Sequence, residues 1–285
     1  MHNAESRKLS YKIANGVIMF IMILLMLITI YPLYYTICAS FSDARALLRN
    51  NDLLLKPLEP FTLDGYKAVF SNPSIVKSFG NTVFYVVVGT AISMALTIAG
   101  AFVVSRSYFL PRNVMMKGML FTMFFGGGLI PWFFVVRDLG MYNTRWAIVI
   151  PAALSTYNLI IMRSFFLSIP SALEESALLD GANDFQVLTH IILPLSTPVL
   201  AVIGMYYAVG QWNGWYHSLI FHRTRELYPL QMILRELLIL NEMTGSDSAA
   251  DFVEEAFNRD LIKYCTIVVT TVPILIIYPF LQRYF

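Results

Sequence analysis

Charge is scarce in this sequence. Only 13% of its 285 residues are Asp, Glu, Lys or Arg, against roughly 25% in soluble domains. Its formal net charge is +2, too small to argue for nucleic acid as a partner. Cysteine is nearly absent. Cys38 and Cys265 both lie in apolar runs, which reads as small packed hydrophobes and excludes a disulfide framework or a thiolate metal site. The histidines stand apart at positions 2, 190, 217 and 222. No His-Glu-x-x-His or Gly-x-Ser-x-Gly pattern occurs, which counts against a membrane-embedded hydrolase or acyltransferase. No glycine is followed by lysine anywhere, so a Walker A phosphate loop is impossible.

What fills the chain is grease: 57% of residues are hydrophobic and the mean hydropathy is +0.63. A globule this apolar would expose much of it to water, whereas a bilayer removes that cost. A helix needs about 20 apolar residues to cross the hydrocarbon core. Six stretches qualify, at about 14–39, 79–104, 114–136, 145–168, 195–221 and 261–284. They are continuous rather than alternating, which excludes barrel strands and leaves helices. The expectation is an all-α integral membrane protein, one transmembrane domain over 1–285, with both termini on the same side. These spans hold essentially no acids, which argues against an ion-coupled sugar carrier.

Arg7, Lys8 and Lys12 precede the first run, which is too long for a signal-peptide core of about 7–15 residues. It reads as an uncleaved span with a cytoplasmic N-terminus. The long loops 40–78 and 222–260 then face outward. They carry more Lys and Arg than the inner segments, against the usual bias. That bias is read best in short flanks, and Arg106, Arg112 and Lys117 cluster in the short second connection. Residues 241–251, NEMTGSDSAAD, are the most flexible-looking stretch.

One segment interrupts the grease. The loop 169–194 contains EESALLDGANDFQVLTHIILP. Ser171 and Glu174 have capping-box spacing, the next residues form helices well, and Gly181 supplies a left-handed stop. Asn183 or Asp184 then caps a second helix, and Pro194 and Pro198 open the fifth span. The first helix places Leu173, Ala177 and Leu178 together, as suits a knob seated in a groove. A helix lying on lipid headgroups is the plainer reading. Such helices favour Lys and Arg, whereas this one has Glu174, Glu175, Asp180 and Asp184, which shifts the balance toward a protein partner.

The segment resembles the EAA loop of ABC importer permeases. Glu175-Ser176-Ala177 fills the triplet, Gly181 follows, and Ile191-Ile192-Leu193-Pro194 closes it. DGAND at 180–184, with FGGGLIP (125–131), NTRWAIVIP (143–151), NLIIMRSFF (158–166) and LYPLQ (227–231), is similar to oligosaccharide-importer permeases of the LplC and MalG type. The resemblance implies a type I importer permease fold in a bacterial inner membrane. It implies a second, homologous permease and a dimer of cytoplasmic ATPases that hold the ATP and magnesium. An extracytoplasmic binding protein would deliver an oligosaccharide. It assigns ATPase coupling to the short helix and its turn: Ser171, Leu173, Glu174, Glu175, Ala177, Leu178, Asp180, Gly181, Ala182 and Asp184. Family members usually continue past the position of Phe285 into a short basic tail that this sequence does not have.

A sugar path needs amides and rings. Gln211, Trp212, Asn213 and Trp215 offer them at one span end, and Tyr157 and Asn158 form a smaller polar island. Belt tryptophans and helix–helix hydrogen bonding are the competing readings. Gly126, Gly127 and Gly128 before Pro131 would bend the third span, as a hinge or for close packing. The sugar itself is not legible: alginate-type fragments, neutral plant-glycan fragments and disaccharides all stay open.

Overall fold

A computed structural model describes the backbone of residues 2–50, 52–243 and 251–282, and the side chains of 11–47, 49–50, 52–238 and 261–276. The described residues are helical throughout, joined by turns. The chain forms two compact units: 1–71 with 237–269, and 72–236 with 270–285.

The first unit begins with α1 (His2–Ser40). From Tyr11 its most apolar window has mean hydropathy 2.7 and is not buried among the described residues. An all-round apolar helix of that length belongs in lipid or against another chain. Asp43 caps α2 (Ala44–Arg49) by accepting the amides of Arg45 and Ala46. Cys38, Ala39, Leu47 and Leu54 form a small core with Tyr264 against it. Gly65 at the start of α3 (Asp64–Ser71) admits Cys265, since a Cβ there would lie 2.6 Å from its Sγ. Both cysteines are free and buried, as packed hydrophobes should be.

The second unit is built on α4 (Pro73–Ser105), started by Asn72, whose side chain accepts the Ser74 amide. After it come α5 (Arg112–Phe124), α6 (Leu129–Asp138), α7 (Trp146–Val149), α8 (Thr156–Ser168), α9 (Ser171–Leu179) and α10 (Asp184–Val187). A π turn (Leu188–Ile192) leads through α11 (Leu193–Leu195) to α12 (Thr197–Trp212) and α13 (Tyr216–Phe221). Two helices bridge the units in sequence, α14 (Leu230–Met243) and α15 (Asp251–Gln282). The core joins α4, α8 and α12 through Phe102, Leu159, Met162, Phe166, Ile203 and Tyr207. The Tyr207 hydroxyl accepts the Ser155 amide at 3.1 Å and shares a hydrogen bond with Thr97 at 2.7 Å. On α4, Asn81 donates to the carbonyls of Glu226 and Tyr228, Tyr85 donates to that of Leu227, and Thr82 accepts the Leu230 amide. The strip carrying LYPLQ is thereby fixed to one helix.

Three expected spans are not continuous helices. The stretch 114–136 breaks at 125–128, and α5 and α6 meet at 116°. Gly128 sits at φ +84°, a conformation that no L residue continues a helix through. The stretch 145–168 is only α7, a turn and α8. Pro151 has no N–H to donate, and Ser155 starts α8 afresh by accepting the Asn158 amide. The stretch 195–221 stops at Trp212, turns through Asn213 and Gly214, and resumes as α13. By length and composition α1 and α4 can each cross a bilayer, and the two bent pairs can do so only if each counts as one crossing. Residues 261–276 form a shorter apolar part of α15. Of the stretch expected to be most flexible, 244–250 lie outside the described residues, as do 283–285.

Candidate functional site

The acidic loop folds as two helices joined by a glycine turn. α9 ends in a complete Schellman motif: the Ala182 amide bonds the Ala177 carbonyl at 2.9 Å and the Gly181 amide bonds Leu178 at 3.1 Å. Gly181 supplies the required φ of +85° with open space around its Cα. Asn183 and Gln186 then form a reciprocal capping box that starts α10. The expected capping box of Ser171 and Glu174 does not form, since α9 starts at Ser171 with no side-chain cap. Glu174 turns inward instead and pairs with Arg106. Asp184 is also engaged, accepting the Tyr108 hydroxyl at 2.9 Å. Partial burial, and then the Asp184 carboxylate, push the Tyr108 phenol up to about 12, so it stays protonated and donates at any physiological pH.

What remains free is a compact face. Glu175 and Asp180 are exposed, with Leu173 and Leu178 nearly half exposed. Ala177 and Ala182 pack inward against the core around Leu159 and Ile192. Of the expected trio, Leu173 and Leu178 are the more exposed, while Ala177 is partly buried. Leu179 and Phe185, 88% and 72% exposed, take the prominent positions. Large apolar side chains so bare beside a helix end suit a partner's groove. An open depression of about 390 Å³, lined by Ala177, Asp180, Gly181, Ala182, Gln186, His190 and Ile191, lies beside them.

A second site lies where the helix breaks occur. A cavity of about 350 Å³ is lined by Ser155, Asn158, Tyr206, Tyr207, Gln211, Asn213, Trp215, Tyr216 and His217, with small residues between them. The two polar islands of the sequence thus face one space. Asn158 is brought in by the start of α8, and Asn213 and Trp215 by the turn that ends α12. Gln211 lies flat on Gly89 of α4, where a Cβ would approach its Nε2 to 2.9 Å. Trp212 and Tyr157 are not on the wall. The indole of Trp212 is buried and donates to the Thr270 carbonyl at 3.0 Å, and Tyr157 is 55% exposed elsewhere on α8. Amides and ring faces around a cavity are the groups that bind hydroxylated ligands.

Residues 107–220, which carry both sites, match the family model described as binding-protein-dependent transport system inner membrane component. The chain is 40% identical to protein LplC of Bacillus subtilis (strain 168) over 90% of its own length and 86% of LplC. It is 38% identical to the polygalacturonan/rhamnogalacturonan transport system permease protein YtcP of the same organism, over 91% and 90%. The chain belongs to this family of inner membrane permeases. It is an ABC importer component, multi-pass in the membrane, and a transport subunit rather than an enzyme. Its fold is that of a chain in the crystal structure of a bacterial ABC transporter involved in the import of the acidic polysaccharide alginate. The TM-score is 0.88, with 31% identity and coverage of 97% of this chain and 98% of that one.

The permease bends at its glycines. Gly126, Gly127 and Gly128 have nothing within van der Waals reach where a Cβ would be, save Pro131 at 4.0 Å from Gly128. Among the described residues, no neighbouring helix packs closely on them. Nothing in the sequence pattern marks Arg106, Tyr108, Leu179 and Phe185 as site residues. The basic cluster around Arg106 was visible only as a topology signal, and Leu179 and Phe185 read as ordinary apolar positions of their helices.

Proposed function

We propose that the permease is one of two transmembrane subunits of a binding-protein-dependent ABC importer that moves an oligosaccharide into the cytoplasm. It has six membrane crossings and cytoplasmic termini, with the broken helices counted as crossings. A second, homologous permease completes the path. An extracytoplasmic binding protein delivers the sugar to the outer side, where the strip at 225–230 is held on α4. Two cytoplasmic ATPase subunits hold ATP and magnesium. The cargo class is a polysaccharide-derived oligosaccharide, in line with the alginate importer and the polygalacturonan/rhamnogalacturonan permease it resembles.

One observation carries the mechanism: the acidic helix α9, closed by Gly181, with Leu173, Leu178, Leu179 and Phe185 left bare beside Glu175 and Asp180. Each permease seats this helix in a cleft on an ATPase. A conformational equilibrium moves only by differential affinity for its two states, and a near-complete swing takes about 5.5 kcal/mol. ATP-driven closure of the paired ATPases supplies that bias through α9. The cavity of Asn158, Gln211, Asn213 and Trp215 lines this subunit's share of the sugar path, and the 125–128 break serves as a hinge between α5 and α6.

The test is co-purification. Glu175→Lys and Phe185→Asp permease, expressed with the partner permease and tagged ATPase, should each lose most of the ATPase from the detergent-extracted complex. Full retention in both would remove α9 from the interface. Uptake by the intact complex, with its binding protein, across a panel of uronate and neutral oligosaccharides then fixes the cargo.

A further inference from the structure

The buried pair of Arg106 and Glu174 is unlike the other ion pairs in the second unit. Among the described residues, Lys77–Glu226 and Arg137–Asp138 have side chains at least half exposed, and those of Arg225–Glu236 are 58% and 27% exposed, where such contacts contribute little. The Arg106 and Glu174 side chains are 6% and 20% exposed. The guanidinium is engaged on every side. Nη1 donates to Glu174, Nε and Nη2 donate to Ser105 Oγ at 3.1 and 3.0 Å, and the plane lies 4.7 Å over Phe102. A buried cation is held this way only while its counter-charge stays in place. Tyr108 makes a second tie to the far side of the same loop through Asp184. Both residues follow directly on α4, the helix that packs on α12 and α8 and that supports Gln211 of the cavity through Gly89. Arg163 of α8 also donates to Val104 at 3.0 Å, so the end of α4 is a junction.

We propose that Arg106 and Tyr108 are positioning residues that clamp the docking loop to α4. The covalent chain joins α9 to α8 on one side and to α12 on the other, and never to α4. The two side chains add a polar link to the packing of Ala177 and Ala182 on the core shared with α4, so α4 moves with α9 as one body. This inference rests on the reading of α9 as the ATPase-docking helix.

The experiment uses the full complex of both permeases and the ATPases in lipid. Spin labels at Ala172→Cys on α9 and Val87→Cys on α4 report one distance, nucleotide-free and trapped with ATP, magnesium and vanadate. With the clamp intact, that distance keeps its mean and width in both states. In Arg106→Gln the distribution should broaden and its mean shift by more than about 2 Å on trapping, the scale of helix shifts at interfaces. Tyr108→Phe, which removes only a hydroxyl, should broaden it less. Arg106→Glu combined with Glu174→Arg should restore the narrow distribution, which a general loss of folding would not allow. A distance that shifts on trapping in the unaltered protein, or that stays fixed in both Arg106→Gln and Tyr108→Phe, overturns the proposal. Should Arg106→Gln fail to assemble, Tyr108→Phe and the charge swap decide by the same criteria. Failure of the docking reading has a separate signature, because the ATPase would then remain bound in Glu175→Lys.

Discussion

At the scale of single residues, the proposed docking loop turns on the backbone conformation of Gly181. Gly181 has open space around it, so any side chain fits, but its φ of +85° penalises every L residue. Gly181→Ala should cost about 1–2 kcal/mol of local order, and Gly181→Asn less, because asparagine tolerates the left-handed region. Quantifying ATPase recovered with each variant checks this, with recovery expected to rank glycine, asparagine, alanine. Asn143 is a second case. It sits at φ +56°, its Oδ1 accepts the amides of Arg223 and Thr224 at 2.9 Å, and its Nδ2 donates to Thr224 Oγ1 at 2.8 Å. Asn143→Ala should lower stability by about 1–3 kcal/mol, read as a fall in thermal midpoint in detergent. Asn143→Gly should recover the backbone part of that loss and none of the side-chain part.

At the scale of elements, α4 and α12 meet through a glycine and an amide. Gly89→Ala would place a methyl 2.9 Å from Gln211 Nε2. The obstacle is the tip of a flexible side chain, so the helices should still pack while Gln211 swings off α4. Sugar uptake in proteoliposomes should fall about tenfold, the equivalent of one lost hydrogen bond of about 1.4 kcal/mol, with ATPase recovery unchanged. Normal uptake would mean that the amide does not serve the cargo. The turn chemistry of the docking loop was legible, because Gly181 and Asn183 act within a few residues of themselves. The break at 125–128 was legible in Gly126, Gly127 and Gly128 before Pro131, whereas those at 150–155 and 213–215 were not, since average hydropathy is blind to φ. The partner of Glu174 was hidden for another reason. Arg106 lies 68 positions away, and a local capping pattern at Ser171 offered a nearer but false destination. The meeting of Asn158 with Gln211 is likewise tertiary, although each was visible as a polar residue in a greasy run.

At the scale of the whole molecule, the proposed path and docking helix lie on a transport subunit whose sequence contains no phosphate loop. Proteoliposomes holding both permeases without the ATPase subunits should neither hydrolyse added ATP nor take up sugar, and adding purified ATPase should restore both. Hydrolysis by the permeases alone would contradict the missing phosphate loop. The bare window of α1 has a consequence of its own: quenching by brominated lipid of a tryptophan placed at Ile21 or Ile28 should be strong wherever lipid rather than the second permease covers it.

The corner at Ser196 has a mechanical meaning. The helical run Asp184–Leu195 meets α12 at 85°, and Ser196 is wholly enclosed there. The two arms are about 18 and 24 Å long at 1.5 Å per residue. On the proposed docking reading, such a right-angled pair acts as a bell crank: a displacement of the short arm would emerge at the far end of α12 turned by nearly a quarter circle and about a third larger.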